Sequence, residues 1–232
     1  MKFIILSQQR AGSHMLMSLL NSHADIHCNS DSQTVDVKNN GKQWTYDVGF
    51  CNDAKINGFL LKIKTDMYKD VTTDDGIRII YLKRDNLLHV LLSKKMAKLF
   101  GCYEKEESGV SLKNATKFRK HAAPINIDSD EAESFFQHWS DKHNDVVVHL
   151  SANNINYIEV SYYDLCNETE LVVERIYGFL GAEGIGPLFA AGRGAEKLDP
   201  RRVSDAILNY YELKEFFSDT KWRSFFLGGG DV

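Results

Sequence analysis

Phe3-Ile4-Ile5-Leu6-Ser7-Gln8-Gln9-Arg10-Ala11-Gly12-Ser13-His14-Met15-Leu16-Met17-Ser18-Leu19-Leu20 is the stretch on which the reading of the fold turns. Its four leading apolar residues, β-branched in part, read as a short buried strand, and Met15, Leu16, Leu19 and Leu20 recur at helical spacing. The order is strand, tight loop, helix. The loop brings one cation, Arg10, one glycine, Gly12, and one hydroxyl, Ser13. The first N–H groups of a helix have no intrahelical acceptors and lie at the positive end of its dipole. An anion placed there meets those groups, Gly12 lets the backbone come close, and Arg10 adds a permanent charge. This is the chemistry of a phosphate cradle.

Outward from that stretch, 232 residues suffice for one sizeable α/β domain, expected to span residues 1–232. No apolar run approaches the ~20 residues that cross a bilayer. Met1-Lys2 leads straight into the first strand with no secretory pattern, so a cytoplasmic protein is expected. Cys28, Cys51, Cys102 and Cys166 form no C-x-x-C pair, which argues against a zinc or dithiol centre. His23 and His27 have i, i+4 spacing but no glutamate in the metalloprotease arrangement, and no metal is expected. A net charge of −4 gives no basic field toward nucleic acid or acidic lipid, so neither nucleic acid nor membrane is expected as a partner. An anionic ligand must be held by a local cluster. Lys94 to Lys98 and Lys113 to His121 read as solvated faces or loops.

The segment from His27 to Asn57 is polar and reads as loop with a short helix at most. Phe59 to Lys64, introduced by Gly58, reads as a second strand, and Ile77 to Leu82, after the Asp74-Asp75-Gly76 turn signal, as a third. Asp85 or Asn86 can cap a helix carrying Leu87, Leu88, Leu91, Leu92, Met96 and Leu99. Gly101 to Asn126 reads as loop. Asp128-Ser129-Asp130-Glu131 opens a long helix whose Phe135, Phe136, Trp139, Val146, Val147 and Leu150 read as core. Ile155 to Val160 is a fourth strand, and Glu168 to Leu180 a helix ended at Gly181. A last helix runs over Val203 to Phe217, ahead of an aromatic end, Trp222 to Phe226. Strands alternating with helices imply a mostly parallel sheet covered on both faces, with ligands at the carboxyl ends of its strands. The loops at Arg10 and Arg84 then share one edge.

A Walker A loop needs G-x-x-x-x-G-K-[ST], and Gly-Lys-Ser/Thr occurs nowhere in the chain. That counts against a small-molecule kinase, which a magnesium requirement would favour; a non-catalytic nucleotide-binding protein is the other alternative. Arg10-Ala11-Gly12-Ser13 directly after the first strand resembles the first loop of the sulfotransferases that use 3′-phosphoadenosine 5′-phosphosulfate, the small bacterial members especially. In Tyr81-Leu82-Lys83-Arg84-Asp85-Asn86-Leu87-Leu88-His89-Val90-Leu91-Leu92-Ser93, Arg84 and Ser93 resemble that family's 3′-phosphate pair. With a helix from Asn86, Ser93 stands about 10 Å along it. Ser161-Tyr162-Tyr163-Asp164-Leu165 is similar to the family's Tyr-Glu-Asp-Leu motif, with Tyr163 in place of the acid.

The resemblance implies a three-layer, P-loop-like α/β fold with a mostly parallel central sheet flanked by helices. It implies 3′-phosphoadenosine 5′-phosphosulfate as co-substrate without a metal, and a small-molecule or glycan acceptor. Arg10, Ala11, Gly12, Ser13, His14 and Met15 would hold the phosphosulfate, His14 through its main chain. Arg84 and Ser93 would hold the 3′-phosphate, and Lys197 and Arg201, from a basic C-terminal loop, would close over the nucleotide. Arg10 would also be catalytic. The base is Asp31, where bacterial members carry glutamate, or Asp66, which follows Lys64-Thr65 where other members carry histidine.

Overall fold

The computed structural model describes residues 1–29, 38–39, 44–45, 54–63, 66–71, 76–99, 123–184 and 202–227. In chain order the elements are β1 (Lys2–Ser7), α1 (Ser13–Leu20), β2 (Ile26–Asn29), β3 (Lys38–Asn39), β4 (Trp44–Thr45), β5 (Ile56–Lys62), α2 (Met67–Val71), β6 (Ile77–Lys83) and α3 (Leu87–Leu99). Then come α4 (Ser129–Ala152), β7 (Tyr157–Ser161), α5 (Tyr162–Asn167), α6 (Thr169–Leu180), α7 (Val203–Ala206), α8 (Tyr210–Phe216) and a 3-10 turn, Arg223–Phe226. The main sheet runs β2-β5-β1-β6-β7 with every pairing parallel, and β3 and β4 pair antiparallel apart from it. This is the α/β fold the alternating pattern implies.

β1 is the central strand, which is why Phe3, Ile4, Ile5 and Leu6 are all buried. Its register sets Ser7 opposite Lys62 on one side and Leu82 on the other, so β1, β5 and β6 end at one edge. Gly58 lies inside β5, not ahead of it: Phe3 is its register partner, and the Phe3 ring fills the space a Cβ at 58 would need.

Three sequence expectations are corrected. The sheet has five strands where the pattern gave four, because β2 falls at the start of the segment read as loop. It is only four residues long and pairs with β5 alone, with Ile26 and Cys28 turned into the core. Too few residues alternate there to declare a strand. The helix expected over Val203 to Phe217 is two helices. Ile207 leaves the helical path to bridge Ile125, and the Asn209 side chain accepts from the Ile127 N–H at 3.0 Å and donates to its carbonyl at 2.8 Å. Finally, β7 is followed at once by the short helix α5, which the pattern did not resolve.

The chain divides into two compact units, Met1–Asp85 with His143–Ala195, and Asn86–Lys142 with Glu196–Val232. In the first, Phe3, Ile5, Leu60, Ile80, Leu82 and Val160 of the sheet form one core with Leu16 and Leu19 of α1 and Val173 and Ile176 of α6. In the second, Leu88, Leu91 and Met96 of α3 join Phe136 of α4 and the aromatic end in another. There the Phe136 ring meets Phe217, Trp222 and Phe225 at 5.5, 5.8 and 5.1 Å. Helix starts follow their caps. Asn86 Oδ1 accepts from the N–H groups of Leu88 and His89 at 3.1 and 3.3 Å, and Asp128 Oδ1 from that of Glu131 at 2.9 Å.

Ile80 and Leu82 face the core of the first unit, so Tyr81 between them faces the other side of the sheet. There its hydroxyl shares a hydrogen bond with His143 Nδ1. Burial first, and the Lys83 charge second, hold the His143 imidazole down at about 4, against 6.5 for an ordinary histidine; Asp85 opposes them weakly. As the pH falls the unfolded chain takes up this proton first. The contribution to stability is therefore full above about 6.5 and lost between there and about 4, up to about 3 kcal/mol. His143→Asn should flatten that part of a plot of Tm against pH, and an unchanged slope would assign the acid sensitivity elsewhere.

Candidate functional site

The first loop is shaped by two left-handed residues, Arg10 at φ 64° and Gly12 at φ 82°. For a residue with a side chain that conformation costs roughly 1–2 kcal/mol, so Arg10 is held there by its surroundings. Gly12 is the N-cap of α1 without a side-chain cap, and helical bonding begins with the Leu16 N–H donating to the Gly12 carbonyl at 3.0 Å. The first turn of α1 carries no acidic residue. The N–H groups of Ser13, His14 and Met15 thus form the positive end of a helix whose first turn carries no acidic side chain.

Ser13 is not the cap that its residue type allows. It is the first helical residue, 3% exposed, and its hydroxyl accepts a hydrogen bond from Lys62 Nζ at the end of β5. The same ammonium reaches Ser7 Oγ at 3.4 Å. Lys62 escapes sequence reading because it arrives through the β1–β5 register; the only local signal is a cation ending an apolar strand.

The second loop comes to the first through Tyr162. Ser161 Oγ accepts from the Tyr163 N–H at 3.1 Å, which starts α5 and lays the Tyr162 ring on the first loop. A Cβ at position 12 would overlap that ring. The Arg84 guanidinium carbon stands 4.5 Å from the centre of the same ring. Burial pulls the Arg84 pKa down; Tyr162 and Cys166 oppose this, and the Arg10 charge adds to it by repulsion. Burial and a hydrogen bond with Cys166 push Tyr162 up to about 12, against the pull of both arginines. The two guanidinium charges thus lie within electrostatic reach of each other. Gly12→Ala should cost about 1–3 kcal/mol, from positive φ and from the displaced ring, as read by thermal unfolding. A variant as stable as the parent would mean that the ring does not press on the loop.

The remaining expected residues divide. Ala11 is buried, His14 exposed, and Met15 half-buried against the core. Ser93 is half-buried on α3, which belongs to the second unit. Asp66 is exposed at the start of α2, where its carbonyl accepts from the Lys69 N–H at 2.9 Å. Asp31, Lys197 and Arg201 lie outside the described residues. His23 and His27 do not share a helix face: His23 Nε2 meets the Glu183 carbonyl at 3.2 Å, while His27 is in β2 and bonds Asn29 Oδ1 at 2.9 Å. Among the described residues no group of His, Cys, Asp and Glu could hold a metal ion, and no helix is long and apolar enough to cross a membrane. Gln8, in the loop itself, is fully buried with neither polar side-chain atom hydrogen-bonded. Each unmet group costs about 1–3 kcal/mol, a cost that marks the loop as shaped for something beyond stability.

Fold and loops together define a class: a parallel-sheet α/β protein with an arginine- and glycine-bearing strand–loop–helix at the end of its central strand. No protein-family model matches the chain. Nodulation protein H of Rhizobium meliloti is 24% identical to it, with 97% of this chain and 94% of the relative aligned. The Nodulation protein H of Rhizobium tropici is 23% identical over 97% of this chain and 92% of the relative. A crystal structure of a sulfotransferase from Alicyclobacillus acidocaldarius superposes with a TM-score of 0.49 and 12% identity, over 93% of this chain and 90% of that one. The similarity to Nodulation protein H runs along nearly the whole of both chains.

Proposed function

We propose that this protein is a sulfotransferase that moves a sulfuryl group from 3′-phosphoadenosine 5′-phosphosulfate to a hydroxyl or amine of a small molecule or glycan, leaving adenosine 3′,5′-bisphosphate. The observation that carries the reading is the Tyr162 ring, which touches the first loop at Gly12 and carries the Arg84 guanidinium 4.5 Å from its centre. Both basic loops meet the same ring, which supports a shared binding place for them. The donor set suits such a ligand: two guanidiniums and a helix start without an acid in its first turn match a multiply charged anion better than a neutral one.

The donor supplies an activated sulfuryl group, and the chain's task is to position it and to receive charge. Arg10 and the N–H groups from Gly12 to Met15 hold the phosphosulfate and stabilise charge that develops on the departing phosphate oxygen. Arg84, with Ser93, holds the 3′-phosphate; Lys197 and Arg201 close over the nucleotide. Asp31 or Asp66 orients the acceptor and takes its proton. By analogy with phosphoryl transfer, positioning and charge stabilisation count for more than a strong base.

The test is transfer of radiolabelled sulfate from the donor to a broad panel of alcohols, amines and glycans in chelator-treated, magnesium-free buffer. Labelled product without magnesium is the expected result. Transfer of phosphate from ATP that depends on magnesium would replace this reading with a kinase, and nucleotide binding with no transfer to any acceptor would leave a binding protein.

A further inference from the structure

We infer that Gln8 is the residue that reads the acceptor: its side-chain amide takes two neighbouring hydroxyls of a polyhydroxylated molecule and holds it at the end of the central strand. The inference rests on the proposed function for the transfer itself and deepens it, naming a substrate class and a residue for it. Gln8 directly follows the last residue of β1 and stands two positions before Arg10, with β5 and β6 on either side of its strand. It is 0% exposed, and neither Oε1 nor Nε2 has a hydrogen-bond partner. An apolar side chain of the same size would be more favourable there, since buried amide atoms left unmet only destabilise the fold. A ligand that supplies both partners accounts for the residue type.

The strand fixes the side on which the amide lies. Phe3 and Ile5 are in the core with α1, and Ser7 Oγ is 3.4 Å from Lys62 Nζ, which also bonds Ser13 of that helix. The Ile63 N–H still donates to the Ser7 carbonyl at 2.9 Å, so the ladder runs up to Gln8. By alternation Gln8 belongs to the opposite face, the one where Tyr81 meets His143 of α4. α2 joins α4 as well, through the Tyr68 hydroxyl, which donates to Asp145 Oδ2 at 2.6 Å, and Asp66 stands at the start of α2. The helix start assigned to the phosphosulfate is thus on one side of the strand, and Gln8 is on the other with one of the two candidate bases.

The chemistry of the amide selects the ligand. A carboxamide presents a donor edge and an acceptor edge side by side. An ammonium only donates and a carboxylate only accepts, so each leaves one edge unmet. A lone hydroxyl satisfies both edges only by giving Gln8 the proton that transfer requires it to lose. Two neighbouring hydroxyls, one accepting from Nε2 and one donating to Oε1, satisfy the amide and leave a third to react. The acceptor reaches the amide by parting the side chains that cover it, and the two new hydrogen bonds offset that displacement.

Full-length parent, Gln8→Met and Gln8→Leu are compared by thermal unfolding, by calorimetry with adenosine 3′,5′-bisphosphate, and by transfer of radiolabelled sulfate. The acceptors are monosaccharides and disaccharides, with benzyl alcohol and benzylamine as single-group counterparts. The parent should use the best sugar at least about tenfold more efficiently than either counterpart. The variants should unfold no lower than the parent and bind the bisphosphate within about twofold, while kcat/KM for that sugar falls by about 10–100-fold. One deoxy analogue of the sugar should lose the same factor with the parent and little more with Gln8→Met. Two apolar shapes guard against a simple misfit: a Tm lowered in both makes the amide part of the scaffold and overturns the inference, as does unchanged use of the sugar by either folded variant. A weakened bisphosphate would move the amide to the adenine ring, and a parent that prefers benzyl alcohol or benzylamine would remove the polyhydroxylated acceptor. Each overturns the inference and leaves the sulfotransferase reading standing. A parent that binds the bisphosphate but transfers to nothing overturns that reading, and the inference falls with it.

Discussion

Arg10→Ala should lower the rate of sulfuryl transfer by about 10²–10³-fold while changing the affinity for adenosine 3′,5′-bisphosphate far less. Charge on the departing phosphate oxygen grows toward the transition state, so a cation aimed at that oxygen contributes more there than in the ground state. The loss then falls on kcat. Arg10 also sits at φ 64°, and its replacement needs a control for folding. Arg10→Gly supplies one. Glycine takes positive φ without strain, so this variant should be as stable as the parent or up to about 1 kcal/mol more so, yet as inactive as Arg10→Ala. Full turnover in either variant would remove Arg10 from the mechanism.

The second large effect is on recognition. Arg84→Ala should weaken adenosine 3′,5′-bisphosphate by about 100-fold and adenosine 5′-monophosphate only a few-fold, because a charged donor to one phosphate is lost and the other phosphate keeps its contacts. The Arg84 guanidinium stands on the Tyr162 ring, which in turn rests on Gly12, so some of the loss passes through that ring. Tyr162→Leu separates the two parts: it removes the ring and keeps the charge, and it should recover much of the selectivity for the bisphosphate. Equal losses for both nucleotides in Arg84→Ala would mean that Arg84 does not read the 3′-phosphate.

The features legible in the sequence are those that local chemistry fixes. An apolar run, a glycine and a helical spacing suffice for β1, its loop and α1, and Asn86 and Asp128 announce the helices they cap. The features that were not legible depend on partners far along the chain. β2 exists because β5 offers it an edge, and Ile207 leaves its helix because Ile125 is there to pair with. Gly12 reads as room for a phosphate; a ring 150 residues later, that of Tyr162, presses on it as well. The Ser13 hydroxyl was open to capping or ligand binding until the β1–β5 register brought Lys62 to it. Sequence spacing alone carries no information about such register contacts. The acceptor side is fainter still, because its two candidate bases, Asp31 and Asp66, rest on resemblance alone.

The central claim is that one edge of the sheet grips both ends of a doubly phosphorylated adenosine. Calorimetric titration of the unaltered protein in magnesium-free buffer, with adenosine 3′,5′-bisphosphate and then with adenosine 5′-monophosphate, puts it to the test. The prediction is one site per chain that holds the bisphosphate at least about tenfold more tightly, or about 1.4 kcal/mol. Equal affinities, or no heat from the bisphosphate, would contradict it.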